Sequence, residues 1–180
     1  MKTIFTPCQV PWAISPSMSG LTLIHTETGV EPECTAVFGG GRLDNNGFVD
    51  SRRIEIEFVE CYYTRTGPLD DDQDIESIDY TTNSAFTGNM DEYLDWRSRE
   101  WQQKGVCPDS GFYVTNQSPW LSMLPTYFHD SFFHYLLTGR DGYVEVIARR
   151  YGWKEWLWIN GNREDSIAVG DIVGSGERED

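Results

Sequence analysis

Tryptophan and acidic residues are distributed unevenly along the sequence, and this asymmetry constrains the fold more than any single motif. Six of the seven tryptophans lie between Trp96 and Trp158. The stretch from Glu27 to Asp79 carries fourteen acidic residues and only four basic ones, Arg42, Arg52, Arg53 and Arg65. Indole side chains have a large apolar area that is usually buried. The pattern therefore predicts an aromatic-rich packed C-terminal portion and a strongly negative surface.

Length and composition predict one globular domain. A chain of 180 residues lies in the usual size range of a single domain, and 39% hydrophobic residues place it outside the disordered class. We expect one domain over residues 1–180, with an exposed acidic loop at 66–84 and a frayed tail at 174–180. The loop prediction rests on repulsion between its like charges and on its few apolar anchors.

The net charge argues against several classes of function. A formal charge of -15 disfavours binding to nucleic acid, because affinity for phosphate backbones comes mainly from lysine and arginine. An anionic membrane surface is disfavoured for the same reason. The sequence has neither the apolar run of a secretory signal at its start nor an apolar stretch long enough to span a bilayer. We therefore expect a cytoplasmic protein that binds neither nucleic acid nor membrane.

The clearest strand prediction covers Arg53 to Thr64. Apolar residues alternate with glutamates from Ile54 to Phe58, which is the period-2 pattern of a strand with one wet face. Glu60 falls where the apolar face would continue. Two structures are compatible with this position: a bulge or strand end at the sheet edge, and an inward carboxylate that lines a pocket.

The strongest helix prediction spans Met90 to Lys104. Asn89 is a good N-cap with Glu92 at the N3 position, and Gly105 can close the C-terminus in a left-handed conformation. The apolar residues fall on one stripe of a 3.6-residue helix: Met90, Tyr93, Leu94 and Trp101. We expect this stripe to face the core.

The C-terminal third is typical of an antiparallel meander. We predict a hairpin followed by two more strands, at residues 131–138, 143–150, 154–160 and 166–173. Residues 143–151 also satisfy helical spacing, but their valines and isoleucine favour a strand. The predicted fold class is α+β: an antiparallel sheet, either open or curled toward a barrel, with one main helix near residues 90–104.

Several patterns resemble ligand-binding motifs but lack part of what the chemistry needs. His129 and His134 are five residues apart, so they do not converge on either a helix or a strand. The acids at 70–74 alternate as in a calcium loop, but Ile75 replaces its invariant glycine. Gly39–Gly41 lacks the lysine of a phosphate loop and is predicted to be a flexible turn or bulge. We therefore predict no metal and no cofactor.

The cysteines offer one candidate nucleophile. The four cysteines form no C-x-x-C pair, and we expect reduced, buried thiols. Cys107 together with a histidine is the one nucleophile and base pair worth considering, the candidates being His25, His129 and His134. The strong negative charge of the chain would raise a thiol pKa rather than lower it. The sequence leaves catalysis open but favours a protein that is not an enzyme.

Two aromatic residues near the C-terminus have two interpretations. Trp156 and Trp158 are two apart and share one face of a predicted strand, and the interleaved Lys154 and Glu155 indicate that one side of this strand is wet. The indoles either pack a core or form a ladder that stacks on a ligand or a partner. A pocket inside a curled sheet would be lined by residues from several segments: Glu60, Tyr62, His134, Trp156 and Trp158.

The leading functional hypothesis is a non-enzymatic binding protein whose acidic surface engages a basic protein partner, as an inhibitor or immunity-type protein would. Complementary charge raises association rates and selects partners. The predicted partner-binding residues are those of the acidic loop, Asp70, Asp71, Asp72, Asp74 and Glu76. The charge is also compatible with a role in solubility alone. The alternative function is a small-ligand-binding protein or enzyme with an aromatic-lined pocket inside the curled sheet.

Overall fold

The computed structural model describes residues 3–15, 20–28, 31–44, 46–47, 49–68, 78–80, 89–129, 131–159 and 162–170, with side chains excepted at 26–28, 31–32, 78–80, 157–159 and 162–170. Two six-stranded sheets and one α-helix, α1 (Met90–Lys104), lie within these ranges. The strands are β1 (Thr3–Pro7), β2 (Trp12–Ile14), β3 (Thr22–Thr28), β4 (Glu31–Arg42), β5 (Arg52–Val59), β6 (Tyr63–Pro68), β7 (Ile78–Tyr80), β8 (Phe112–Thr115), β9 (Phe133–Thr138), β10 (Gly142–Ala148), β11 (Arg150–Ile159) and β12 (Asn162–Gly170).

The first sheet has the strand order β6-β10-β9-β8-β1-β7. Its centre is the hairpin of β9 and β10, in which Thr138 pairs with Tyr143 and the amide of Gly139 donates to the carbonyl of Gly142. The predicted hairpin is therefore confirmed, and residues 143–148 form a strand rather than a helix. All neighbours in this sheet are antiparallel except β7, which runs parallel to β1.

The second sheet has the order β12-β11-β5-β4, with β2 and β3 both paired to the outer edge of β4. In β5 the side chains of Ile54, Ile56 and Phe58 are fully buried, and the intervening glutamates are half-buried, as the alternating pattern predicts. Each of these buried side chains contributes roughly 1.5–3 kcal/mol to folding relative to an exposed position. The fold class α+β with mainly antiparallel sheets is confirmed, and the sheets are open rather than closed into a barrel.

The main core lies between the two sheets and is rich in aromatic rings. Trp12 stacks on Phe112 with ring centroids 5.9 Å apart, and Phe58 meets Tyr135 at 5.4 Å. Trp12 comes from the N-terminal region, so the core combines both halves of the chain and is not formed by the C-terminal tryptophans alone. The interior between the sheets is packed with side chains.

Helix α1 has the predicted bounds and both predicted caps. The side chain of Asn89 accepts from the amide of Glu92, whose carboxylate accepts in return from the amide of Asn89. Gly105 ends the helix in the left-handed region at φ 69°. The helix is attached to the second sheet through Trp101, which is 3% exposed and donates from Nε1 to the carbonyl of Pro11.

Three local predictions differ from the structure. Gly39–Gly41 is part of β4 rather than a flexible turn. Position 40 requires glycine because a Cβ there would lie 2.7 Å from Ile54 and 2.8 Å from the carbonyl of Ala13. Strand β11 begins at Arg150 and runs through Gly152 without a break, so it starts earlier than the predicted strand at 154–160. Glu155 is fully buried rather than wet, because it faces the same side as its register partner Ile54.

Two parts of the predicted acidic loop are strand in the structure. Residues 66–68 belong to β6, and Ile78–Tyr80 form β7 beside β1. The residues between these strands, and with them the predicted partner-binding acids, lie outside the described residues. The same is true of the predicted frayed tail at 174–180.

Candidate functional site

The four thiols do not have the environment of a nucleophile. All four cysteines are buried and free. Burial raises the pKa of Cys8 and raises that of Cys107 to about 11, and contact with the Cys61 thiol together with burial raises that of Cys34. Reactive cysteines need the opposite shift, because the thiolate is the attacking species.

No hydrogen bond joins Cys107 to a histidine within the described residues. The Cys107 thiol donates to the carbonyl of Asp109 at 3.2 Å. The three candidate histidines have other neighbours: His25 bonds Thr64, His129 bonds the carbonyl of Leu124, and His134 lies near Glu145. The structure therefore does not bring the predicted nucleophile and base together.

A buried ionic group lies on the outer face of the first sheet. Arg65 on β6 donates from Nε to Oε2 of Glu145 on β10 at 2.5 Å, and Nε2 of His134 on β9 lies 3.4 Å from Oε1. Trp120 covers this group: its ring stacks on His134 with centroids 5.2 Å apart, and the Arg65 guanidinium lies 5.1 Å from the indole. Stacking and the cation–π contact join residues 116–129 to the sheet.

The charge balance of this group favours a structural role over acid–base catalysis. Burial would raise the pKa of Glu145, but the adjacent His134 and Arg65 outweigh burial and hold that pKa below its usual value. The carboxylate therefore stays ionised and already has a cationic partner. His134 is only 5% exposed beneath Trp120, and neither ring nitrogen has a hydrogen-bond partner among the described residues. The imidazole is therefore almost fully covered.

A second buried ionic group lies at one end of the interior between the sheets. Arg42 and Arg52 each donate to Oε1 of Glu155 at 2.8 Å, and Arg52 also makes three hydrogen bonds to Asp50. Glu155 is fully buried, whereas the Arg42 side chain is 37% exposed. Two cations therefore neutralise one buried carboxylate, and the group links β4, β5 and β11.

Sequence reasoning missed both ionic groups, although a sequence signal for them exists. Glu145 lies between Tyr143 and Ile147, which point to the same face of β10, and Glu155 is two residues from the partly buried Trp153. A carboxylate in an apolar row of a strand needs a buried cation nearby. Which arginines supply it depends on strands that are distant in sequence, so the partners were not predictable.

The structure places the predicted pocket residues on different surfaces. Glu60 has the left-handed φ of 56° just after β5 and forms an ion pair with Arg149 at 2.8 Å. Tyr62 is 44% exposed and its ring packs on Phe128. Phe128 and Trp120 belong to the same apolar group.

The remaining predicted pocket residues are also dispersed. His134 borders the apolar group that contains Phe128 and Trp120, so it lies near the packing around Tyr62. Trp156 is 9% exposed on β11 of the other sheet, and the Trp158 side chain is outside the described residues. The structure therefore brings only Tyr62 and His134 to one apolar group.

Exposed acids are present on α1. Asp91 and Asp95 are exposed and have no ion-pair partner among the described residues. Beside them, the apolar residues Met90 and Leu94 are 69% and 47% exposed. The predicted apolar stripe of the helix is therefore buried at Trp101 and open at its N-terminal end. We call Met90, Asp91, Leu94 and Asp95 the amino-terminal face of α1.

The cavities of the described residues are shallow and lie at the surface. One of them has a volume of about 600 Å³ and is lined by residues of β1 and of the segment after β8, including Asn116, Gln117 and His129. A smaller one of about 340 Å³ lies between α1 and the turn at Gly47. Within the described ranges, no three His, Cys, Asp or Glu side chains converge as metal ligands do.

The fold and these surfaces define an α+β protein of two open sheets with an internally neutralised core and an acidic helix face. A scan against protein-family models and searches of curated proteins and solved structures found no match to the chain. Among the described residues, no helix combines the length and the apolar character needed to cross a membrane.

Proposed function

We propose that this chain is a non-enzymatic binding protein of the cytoplasm whose acidic surface engages a basic protein partner, as an inhibitor or immunity-type protein does. The observation that carries the proposal is an excess of carboxylates that the chain itself cannot neutralise. The sequence has 29 acidic and 14 basic residues, so 15 carboxylates remain after every possible pairing.

The structure uses many of the basic residues internally. Seven of the 14 basic residues form ion pairs with the chain's own carboxylates within the described residues: Arg42, Arg52, Arg65, Lys104, Arg140, Arg149 and Lys154. Solvent-facing acids such as Asp91 and Asp95 then form no ion pair with any of the described residues. Such an imbalance creates a negative field that accelerates encounter with a basic protein.

The alternative function receives less support from the described residues. A pocket between the sheets would need open space there, and that space is occupied by the packed aromatic rings of Trp12, Phe112, Tyr135 and Tyr151. A preformed ligand site usually has a volume of roughly 300–1,000 Å³. Two cavities of that size, the one beside β1 and the one beside the turn at Gly47, lie outside the interior between the sheets.

The proposal is tested with the partner itself. The purified chain is used to isolate bound proteins from its native host, and the recovered partner is then purified and titrated by calorimetry. We expect a stoichiometric complex with a basic protein whose affinity falls at least tenfold when the salt concentration rises from about 0.1 M to about 1 M, because screening shortens the Debye length from about 10 Å to about 3 Å. Failure to recover a basic partner at low salt, or an affinity independent of salt, would overturn the proposal.

A further inference from the structure

The apolar stripe of α1 extends beyond the part of the helix that the protein buries. On a 3.6-residue helix, Met90 and Leu94 lie within about 40° of each other and on either side of Trp101. Trp101 is buried against Ala13, Cys107 and Leu43. Met90 and Leu94 are nevertheless 69% and 47% exposed. The helix therefore presents two large apolar side chains, one turn apart, to solvent.

Carboxylates flank these apolar side chains on one side. Asp91 follows Met90 and Asp95 follows Leu94, so each apolar residue has an acid about 100° around the helix. Neither aspartate has an ion-pair partner among the described residues. Asp95 also borders the cavity of about 340 Å³ between α1 and the turn at Gly47, in which Arg99 is the basic lining residue.

We infer that the amino-terminal face of α1 binds a cationic amphipathic segment of a partner protein. An apolar side chain of the segment packs between Met90 and Leu94, and lysine or arginine side chains bind Asp91 and Asp95. Methionine suits such a contact because its flexible thioether adapts to the shape of a partner. The inference rests on the function proposed above and assigns it a surface and a partner chemistry.

Charge complementarity selects this occupant over the alternatives. A second copy of the chain would bring another charge of -15 against the same carboxylates. An anionic lipid surface would repel them in the same way. A basic amphipathic segment satisfies both the apolar pair and the acids, in the manner of a helix anchored at positions one turn apart.

A synthetic probe tests the surface directly. The probe is a fluorescently labelled helical peptide of leucine and lysine, with the leucines at helical spacing on one face. Its binding is measured by fluorescence anisotropy at low salt. We expect Met90→Gln with Leu94→Gln, and separately Asp91→Asn with Asp95→Asn, each to weaken binding by about tenfold or more, because both groups contribute anchors at the contact.

Matched substitutions elsewhere serve as controls. Met123 is 70% exposed and the Asp141 side chain is 72% exposed, both outside α1. We expect Met123→Gln and Asp141→Asn to leave peptide affinity within about twofold, because surface changes away from the contact have small effects. Circular dichroism of every variant checks that the helix is retained, which is expected because all four substituted helix positions are exposed.

The outcomes separate the surface from the function. Loss of affinity confined to the helix variants supports the inference. Equal affinity in helix and control variants overturns the assigned surface but leaves the basic partner in place. Absence of any peptide binding at low salt overturns the surface and counts against the proposed function as well. Sedimentation measures whether the wild-type chain dimerises. If it does, and if Met90→Gln with Leu94→Gln abolishes the dimer, the face serves self-association and the inference is overturned.

Discussion

Glu155 shows at the residue scale how this chain tolerates a charge in its interior. The carboxylate is fully buried and accepts hydrogen bonds from both Arg42 and Arg52. An isolated charge in such a position is strongly unfavourable, whereas a paired and hydrogen-bonded one is tolerated. Asp50 extends the group by fixing Arg52, so the arginine cannot swing away to solvent without breaking four contacts.

Removing this carboxylate should destabilise the fold more than removing an exposed one. We expect Glu155→Ala to lower the free energy of unfolding by about 3 kcal/mol, because it leaves the Arg42 guanidinium without a counter-charge beside Arg52, which keeps only Asp50 as a partner. This value is at the lower end for a buried pair because water reaches Arg42. Urea denaturation measures the change.

An exposed pair on the same sheet provides the control. Glu55 forms an ion pair with Lys154 at 3.0 Å, and the Lys154 side chain is 42% exposed. We expect Glu55→Ala to cost less than about 1 kcal/mol. Equal costs for the two glutamates would mean that the interior group contributes nothing specific to stability.

At the scale of single elements, α1 depends on its ends because little of it is buried. Trp101 is its one buried side chain, and polar contacts supplement it: Arg97 donates to the carbonyl of Asp109, and the Tyr93 hydroxyl donates to the Asp109 carboxylate. A helix with a small buried face gains less from packing and relies more on capping.

We therefore expect the N-cap to contribute measurably to stability. Asn89→Ala removes the side-chain acceptor for the amide of Glu92 and should lower the free energy of unfolding by about 1 kcal/mol. Gln103→Ala, at an exposed position of the same helix, should change it by less than about 0.5 kcal/mol. Thermal unfolding followed by the helical circular dichroism signal compares the two, and similar values would argue against a stabilising capping box.

The elements that the sequence predicted are those whose signals are local. The caps and spacing of α1, the alternation in β5 and the hairpin of β9 and β10 all depend on residues close together in the chain. Strands β1 and β7 were not predicted, because short strands are specified by partners that lie far along the sequence. The same holds for the candidate surface. The apolar stripe of α1 could be predicted from the sequence, but the part of the stripe that the sheets leave exposed could not.

At the scale of the whole molecule, the interior holds many ionisable groups in their protonated forms. Burial raises the pKa of several thiols and phenols, namely Cys8, Cys107, Tyr93, Tyr135 and Tyr151. In the unfolded chain, the Cys107 thiol loses its proton as the pH rises through its ordinary pKa of 9.0. In the folded chain, burial raises this pKa to about 11, so the thiol keeps its proton over that range. The folded state then binds more protons than the unfolded state, so stability falls as pH rises through this range.

This linkage predicts an alkaline loss of stability that depends on the buried thiols. We expect the urea midpoint to be lower at about pH 10 than at neutral pH, and the difference to be smaller in Cys107→Ala, which lacks one of the titrating groups. Chemical denaturation of both proteins at both pH values makes the comparison. An identical pH difference in the variant would exclude a contribution from this thiol.

The position of β11 also has a consequence for synthesis on the ribosome. Arg150 in β11 pairs with Val59 in β5, so one edge of β5 can form its hydrogen bonds only after a strand 91 residues further along the chain has been translated. At about 5–20 residues per second, that edge stays unpaired for roughly 5 to 20 s. During this interval the nascent chain exposes Ile54, Ile56 and Phe58, which makes an early chaperone contact useful and makes truncation before residue 150 prone to aggregation.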